Sequence, residues 1–492
     1  VLGRPHLSLA MHLSVTLRVL GLLLMVFSLA MIPSIIVSLI FADGQLRLFT
    51  TAMAVIFGAG MICWLPVRSQ RREMRVRDGF LITVLFWVVL GLAGAVPLAL
   101  SKQLGLSITD SVFEAMSGLT TTGATVIVGL DALPQSILFY RQLLQWLGGM
   151  GIVVLAVAIL PLLGIGGMQL YRAETPGPVK DAKLSPRIAE TAKALWMIYV
   201  SLTLACAGAY WLAGMSLFDA LSHAFSTIAI GGFSTHDASI GYFDSAQVEF
   251  VAIVFMIIAG MNFSLHFAAW HNRTVRHYIH DPEWRLYLLF LLGLGMLVSL
   301  VLVDTKSYEV TDAFRFGFFE TVSIATTTGF ASVGYSGWPS FIPFLLLMSA
   351  FVGACAASTG GGIKVIRLIL LYKQGAREIQ RLIHPNAVIP IKVGGKPISA
   401  RVIDAVWGFL AAYVLLFGLL MLACMAFGED PITAYSAVGA TLNNLGPGLG
   451  DAATNYAGLS DGTKYVLTFA MLLGRLELFT LLVIFTPAFW QH

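Results

Sequence analysis

Two stretches of this sequence carry the same groups in the same register. Phe113-Glu-Ala-Met-Ser-Gly-Leu-Thr-Thr-Thr-Gly123 and Phe319-Glu-Thr-Val-Ser-Ile-Ala-Thr-Thr-Thr-Gly329 share F-E-x-x-S-x-x-T-T-T-G without a gap. Neither pairs a nucleophile with a base. What they offer is oxygen: threonine hydroxyls, and backbone carbonyls next to a glycine that can adopt conformations closed to other residues. Rings of such carbonyls can replace the hydration shell of a cation. Two weaker copies exist. Ser222-His-Ala-Phe-Ser-Thr-Ile-Ala-Ile-Gly-Gly232 keeps Ser226 six before its last glycine, and Ser436-Ala-Val-Gly-Ala-Thr-Leu-Asn-Asn-Leu-Gly446 has Ala440 there. Ile230 and Leu445 have no side-chain oxygen, so coordination at those positions falls to the main chain. His223 stands where the strong copies have Glu114 and Glu320, and is expected to hydrogen-bond locally rather than bind metal.

The elements around these motifs are apolar. Of 492 residues, 58% are hydrophobic and 11% charged, against about 25% charged in a soluble domain. This excludes a soluble enzyme, a nucleic-acid binder and a disordered chain. It predicts an all-α polytopic membrane protein. A spanning helix needs about 20 apolar residues. Ten candidates lie at 13–40, 48–66, 80–100, 139–164, 194–215, 248–270, 286–303, 341–372, 402–427 and 465–487. The motifs fall in shorter segments between alternate spans, at 110–122, 218–231, 312–328 and 432–445. These are too short to cross and read as re-entrant half-helices, a backbone tolerated at membrane depth only where it is buried in protein or lines a wet cavity. The chain therefore divides into two N-terminal spans with a basic loop (1–78) and four span–half-helix–loop–span repeats (79–193, 194–284, 285–400, 401–492). Cys63, Cys206, Cys355 and Cys424 sit far apart in apolar runs and read as small buried residues. No cleavable leader stands out at the start.

Charge orients the spans. With both termini cytoplasmic, the inner face holds 23 Lys/Arg and nine Asp/Glu, and the outer face six Lys/Arg and sixteen Asp/Glu. Arg141 counts among the outer bases. The half-helices then enter from the acidic side, which concentrates cations. Their C-terminal ends, each carrying about half a negative elementary charge, point at the membrane centre. The basic 68–77 stretch fits anionic lipid, and the basic loops at 172–193 and 373–401 fit lipid or a cytoplasmic partner.

The third repeat's second span contains Ser358-Thr-Gly-Gly-Gly-Ile-Lys364. Three consecutive glycines break a helix, at about 1 kcal/mol each against alanine, so the span is expected to unwind there. No GxxxxGK[ST] nucleotide loop is present. Arg475 lies within the last span, where an arginine costs several kcal/mol unless it meets water or a partner. Glu477, two residues on, faces another way along a helix.

Four such loops in one chain, reading TTTG, IGG, TTTG and NNLG, resemble the Trk/Ktr/HKT superfamily of potassium transporters, and within it the TrkH family of bacterial Trk-system membrane subunits. The resemblance covers nearly the whole chain. It implies a pseudo-fourfold pore in one subunit of a homodimer in the inner membrane. It implies potassium at a filter formed by Thr121, Thr122 and Gly123; Ile230, Gly231 and Gly232; Thr327, Thr328 and Gly329; and Asn444, Leu445 and Gly446. It implies a gate made of Ser358, Thr359, Gly360, Gly361, Gly362, Lys364 and Arg475, controlled by a cytoplasmic TrkA-type ring that carries the nucleotide, ATP/ADP or NAD. No transition metal, covalent cofactor or nucleic acid is implied. The sequence leaves open a proton- or sodium-coupled secondary transporter with a midplane site. It points to no enzyme, since only Arg475 and Glu477 lie at bilayer depth.

Overall fold

The computed structural model describes residues 6–69, 76–151, 188–339, 341–476 and 478–490. It is helical almost throughout. The chain opens with α1 (His6–Ser28), α2 (Met31–Phe41) and α3 (Leu46–Trp64). The first expected span is thus interrupted by a turn at Leu29–Ala30, ahead of Pro33. α1 and α3 cross where Gly21 and Gly60 meet, and a Cβ on either would come within 2.9 Å of the other helix's backbone. Small residues at a crossing let helices approach closely in lipid.

From there one pattern recurs. α4 (Val76–Leu100), α5 (Ile108–Leu119) and α6 (Gln135–Trp146) are followed by α7 (Ile188–Leu212), α8 (Leu217–Ala229), α9 (Ala246–Ala259), α10 (Phe263–Asn272) and α11 (Arg276–His280). Then come α12 (Pro282–Asp304), α13 (Val310–Ala325), α14 (Ile342–Val352) and α15 (Val365–Ile383). A two-stranded hairpin, β1 (Lys392–Val393) and β2 (Lys396–Pro397), precedes α16 (Ala400–Ala426), α17 (Pro431–Leu442), α18 (Asp461–Leu476), α19 (Leu478–Leu482) and α20 (Pro487–Trp490).

Six helical segments among the described residues are long and apolar enough to cross a membrane, or eight if two bent pairs each count as one span. That is fewer than the ten expected. The expected span at 139–164 begins as α6, and its residues from 152 on lie outside the described residues. The one at 341–372 is two separate helices, α14 and α15.

The four short helices that carry the motifs are α5, α8, α13 and α17. Ser107, Ser216 and Asp430 cap three of them, accepting from Asp110 N, Asp219 N, and Ile432 N and Thr433 N. Each cap lies sixteen residues before the motif glycine. Such caps satisfy backbone donors that a helix start leaves open. α13 starts earlier, after Glu309, without a side-chain cap.

Candidate functional site

The four short helices end alike. Thr122 N, Gly231 N, Thr328 N and Leu445 N donate back to the carbonyls of Ser117, Ser226, Ser323 and Ala440 at 2.8–2.9 Å. The residue before each donor is left-handed: Thr121 (φ 57°), Ile230 (φ 54°), Thr327 (φ 68°) and Asn444 (φ 53°). This is the Schellman closure of a helix, whose left-handed position is usually glycine. Here three of the four are β-branched, for which the conformation is a genuine outlier. Gly123, Gly232 and Gly329 are also at positive φ, 75–84°.

The loops meet in cyclic order. A Cβ on Gly123 would run into the carbonyl of Gly231, and one on Gly232 into that of Thr328. One on Gly329 would lie 2.8 Å from Pro447, and one on Gly446 would return to Gly123 O at 2.6 Å. First, second, third and fourth loops therefore form a closed ring whose contacts leave no room for side chains.

The threonine hydroxyls of this ring are engaged within the protein. Thr120 and Thr122 share a hydrogen bond of 2.8 Å, and Thr326 and Thr328 one of 2.7 Å. Thr121 Oγ1 accepts from Arg475 at 3.2 Å, and Thr327 Oγ1 from Gly361 N at 2.7 Å. Asn444 Nδ2 donates to Thr122 Oγ1 and to Met471 O. Ile230 and Leu445 are fully buried.

Behind the ring the acids act as struts. Glu114 is fully buried, accepts from Thr125 and Val126 N, and pairs with Arg141 at 2.8 Å. Arg141 is 1% exposed, donates to Ser234 O and lies over the Phe233 ring. Counted by sequence only as a base of the outer face, it has a carboxylate and an aromatic face around it in place of water. Glu320 accepts from Ser332 N and Val333 N at 2.7 and 3.2 Å. His223, at the same register, bonds Asp219 O and Ser234 Oγ, both at 2.9 Å. In the fourth loop Ser436 takes this work, bonding Leu449 N and O.

Against the ring lies the segment between α14 and α15, residues 353–364, which is not helical. Ser358 Oγ donates to Cys355 O. Thr359 Oγ1 donates to Ile228 O and Ala259 O. Gly362 N donates to Asn443 O at 3.2 Å, and Lys364 Nζ to Gly360 O. A Cβ on Gly361 would strike Asn443 O, and one on Gly360 would sit 3.0 Å from Thr326 O. The glycines are thus needed for close approach as well as for unwinding. Glu283, at the start of α12, accepts from Ala356 N at 2.7 Å and Ile366 N at 3.2 Å, tying the segment to the first turn of α15.

Arg475 joins these parts. Nη1 donates to Thr121 Oγ1 and Thr359 O, both at 3.2 Å, and Nη2 to Gly148 O and Gly149 O, both at 2.6 Å. Glu477 lies outside the described residues, as do most of the basic stretches at 68–77 and 172–193. Gly148 and Gly149 lie in the five-residue π-helical turn, Leu147–Gly151, that directly follows α6. A comparable break separates α9 from α10, with an 89° change of direction. Only the break at 353–364 was expected from sequence.

A family model described as TrkH, cation transport protein, matches residues 45–492. The chain belongs to the TrkH family. The TrkH potassium uptake protein of Halomonas elongata is 60% identical, covering 98% of this chain and 100% of that one. TrkH of Escherichia coli is 54% identical with the same coverage, and TrkG of Escherichia coli 40%, covering 98% and 99%. The crystal structure of the potassium transporter TrkH from Vibrio parahaemolyticus superposes with a TM-score of 0.89 at 54% identity, covering 97% of this chain and 99% of that one. TrkH membership makes this an integral membrane protein.

Sequence reasoning missed Gln142, Gln145, Arg141 and Glu283. Gln142 Nε2 donates to Phe233 O and Gln145 Nε2 to Gly231 O, so α6 holds the second loop. A lone glutamine or glutamate near a span end looks like an interfacial residue, and no local spacing marks it otherwise.

Proposed function

We propose that this protein takes up potassium across the bacterial inner membrane through a pore on the axis of the four-loop ring. The observation that carries the reading is the left-handed residue two before each motif glycine, in all four loops. Alternating left- and right-handed residues turn successive carbonyls to one side. Strain of about 1–3 kcal/mol per outlier persists only where the surroundings impose it, as at functional sites. With the hydroxyls of Thr121, Thr122, Thr327 and Thr328 already engaged, and Gly231 O and Gly446 O held by Gln145 and Tyr456, the ion ligands fall to the other main-chain carbonyls of 121–123, 230–232, 327–329 and 444–446. A potassium ion sheds its water to such a ring more readily than a smaller, more tightly hydrated ion does.

Residues Ser358–Lys364 and Arg475 form the gate. Arg475 sets a fixed positive charge beside the ion path and ties the segment through Thr359. A homodimer and a cytoplasmic TrkA-type nucleotide-binding ring are the partners this reading requires, with ATP/ADP or NAD acting there and not on this chain. Basic juxtamembrane loops suit lipid and that ring.

The test is rubidium uptake into proteoliposomes with competing K⁺, Na⁺ and Cs⁺ and an imposed pH gradient. Competition by K⁺ well ahead of Na⁺, without a need for the gradient, is expected. Equal competition by Na⁺ would defeat the potassium reading, and obligate dependence on the gradient would replace the pore with a coupled carrier.

A further inference from the structure

The second loop is built differently from its neighbours. In the first and third loops the residue before the motif glycine is Thr122 or Thr328, whose hydroxyl braces its own loop through Thr120 or Thr326. In the fourth it is Leu445, with Asn443 and Asn444 held by Tyr413 Oη at 2.8 Å and by Met471 O at 2.9 Å. In the second it is Gly231, and Ile228, Ala229 and Ile230 contribute no side-chain polar group. The brace comes from another part of the chain. Gln145 on α6 donates its Nε2 to Gly231 O at 2.6 Å and accepts from Phe233 N at 3.1 Å on Oε1. Its amide is fully buried and clasps the loop on both sides of Gly232.

The two residues exclude each other's alternatives. A Cβ on Gly231 would come within 2.5 Å of Oε1 and 2.8 Å of Nε2 of Gln145. The glycine is there because the glutamine fills the place of its side chain. The carbonyl that Gln145 holds is the one against which Gly123 packs. Gln145 therefore sets both the curvature of the second loop and its spacing from the first.

We propose that Gln145 is a positioning residue for cation selection: it touches no ion, but fixes the second loop and through it the width of the ring between first and second loops. The inference rests on the pore reading above. Loss of the amide lets the Gly231 peptide rotate and the ring relax toward less selective geometries. It acts on discrimination between ions more than on the presence of a pore.

The experiment is Na⁺ inhibition of rubidium uptake into proteoliposomes for the parent protein, Gln145→Leu and Gln145→Glu, with Trp146→Phe as a control on the same helix. Trp146 bonds Thr203, away from the ring. Gln145→Glu keeps the shape and the acceptor for Phe233 N, but its carboxylate has no N–H for Gly231 O. If the parent does not prefer Rb⁺ to Na⁺, the pore reading itself fails. Given a selective parent, both Gln145 variants should be inhibited by Na⁺ at about two- to tenfold lower concentration, the factor expected from one net hydrogen bond of loop geometry. Trp146→Phe should match the parent. Folded Gln145 variants with the parent's Na⁺ sensitivity, or with no uptake at all, would overturn the proposal. So would failure of both to fold, which would make Gln145 structural only.

Discussion

Arg475 Nη1 reaches Thr121 Oγ1 at 3.2 Å, joining the last long helix to the first motif loop. The same guanidinium holds Gly148 O and Gly149 O at the end of α6 and Thr359 O in the unwound segment. One side chain thus touches three breaks in regular structure. Replacing it by alanine removes a fixed charge and a mechanical tie together. A unit charge near an ion path at an effective dielectric of about 20 costs a passing cation on the order of 1–4 kcal/mol. Arg475→Ala is therefore expected to raise rubidium flux about tenfold or more. Unchanged uptake by the folded variant in liposomes would remove Arg475 from the gate.

Glu283 ties the unwound segment to the first turn of α15 with one oxygen. Glu283→Gln weakens those charged hydrogen bonds by about 1–3 kcal/mol. Amide hydrogen exchange in 353–366 should quicken, while exchange in α16 stays as it was. Equal protection in both proteins would mean that the segment is held by other contacts.

Glu114 and Arg141 are a buried pair whose removal should be asymmetric. Glu114→Gln leaves the guanidinium without its counter-charge, at a cost of about 3–5 kcal/mol. Thermal unfolding in detergent should fall sharply for Glu114→Gln and recover partly in the double variant with Arg141→Met. An additive double variant would show that the two do not act as a pair.

Gly232 and Gly329 are at φ 75° and 84°, and their missing side chains are what let the next loop approach. Gly232→Ser or Gly329→Ser should reduce the preference for K⁺ over Na⁺ more than it reduces uptake at saturating Rb⁺. Retained selectivity in both would show that these glycines do not shape the ion path.

His236 links the outer ends of the first two loops, bonding Asp131 at 2.5 Å and standing 3.4 Å from Asp219 while stacked on Tyr242. Burial alone would lower its pKa, but Asp219 and Asp131 outweigh that and raise it above the ordinary value. A histidine raised on folding stabilises fully below its unfolded pKa of about 6.5, and loses that contribution as pH rises through the folded value. The melting temperature should therefore fall as pH rises through that window, and His236→Gln should flatten the fall. Parallel pH profiles would exclude the link.

Some of this organisation was legible because it is local. Three glycines in a row announce the unwinding at 353–364, and seven identical residues in eleven reveal the kinship of the 113–123 and 319–329 segments. The fourth segment was faint because Ala437 stands in the glutamate register. There Ser436, one residue earlier, does the bonding. The π turn after Trp146 was illegible because Gly148-Gly149 looks like any small pair in a span. It becomes meaningful only when Arg475, far along the chain, supplies donors to the two carbonyls. The pairing of Arg141 was hidden for the same reason: its partner Glu114 lies on another helix.

The ring closes where Gly446 meets Gly123, and Tyr456 reinforces that seam by donating from its amide to Thr125 O and from its hydroxyl to Gly446 O. First and last loops are made at opposite ends of translation. Until the ribosome has released most of the chain, the first half-helix has its left-handed turn and buried carboxylate but no fourth neighbour. A nascent chain of this design must shelter three unfinished, strained loops in the bilayer and then lock them in one late step. Truncations within α18 should accordingly be cleared by membrane proteolysis rather than persist as three-quarter pores.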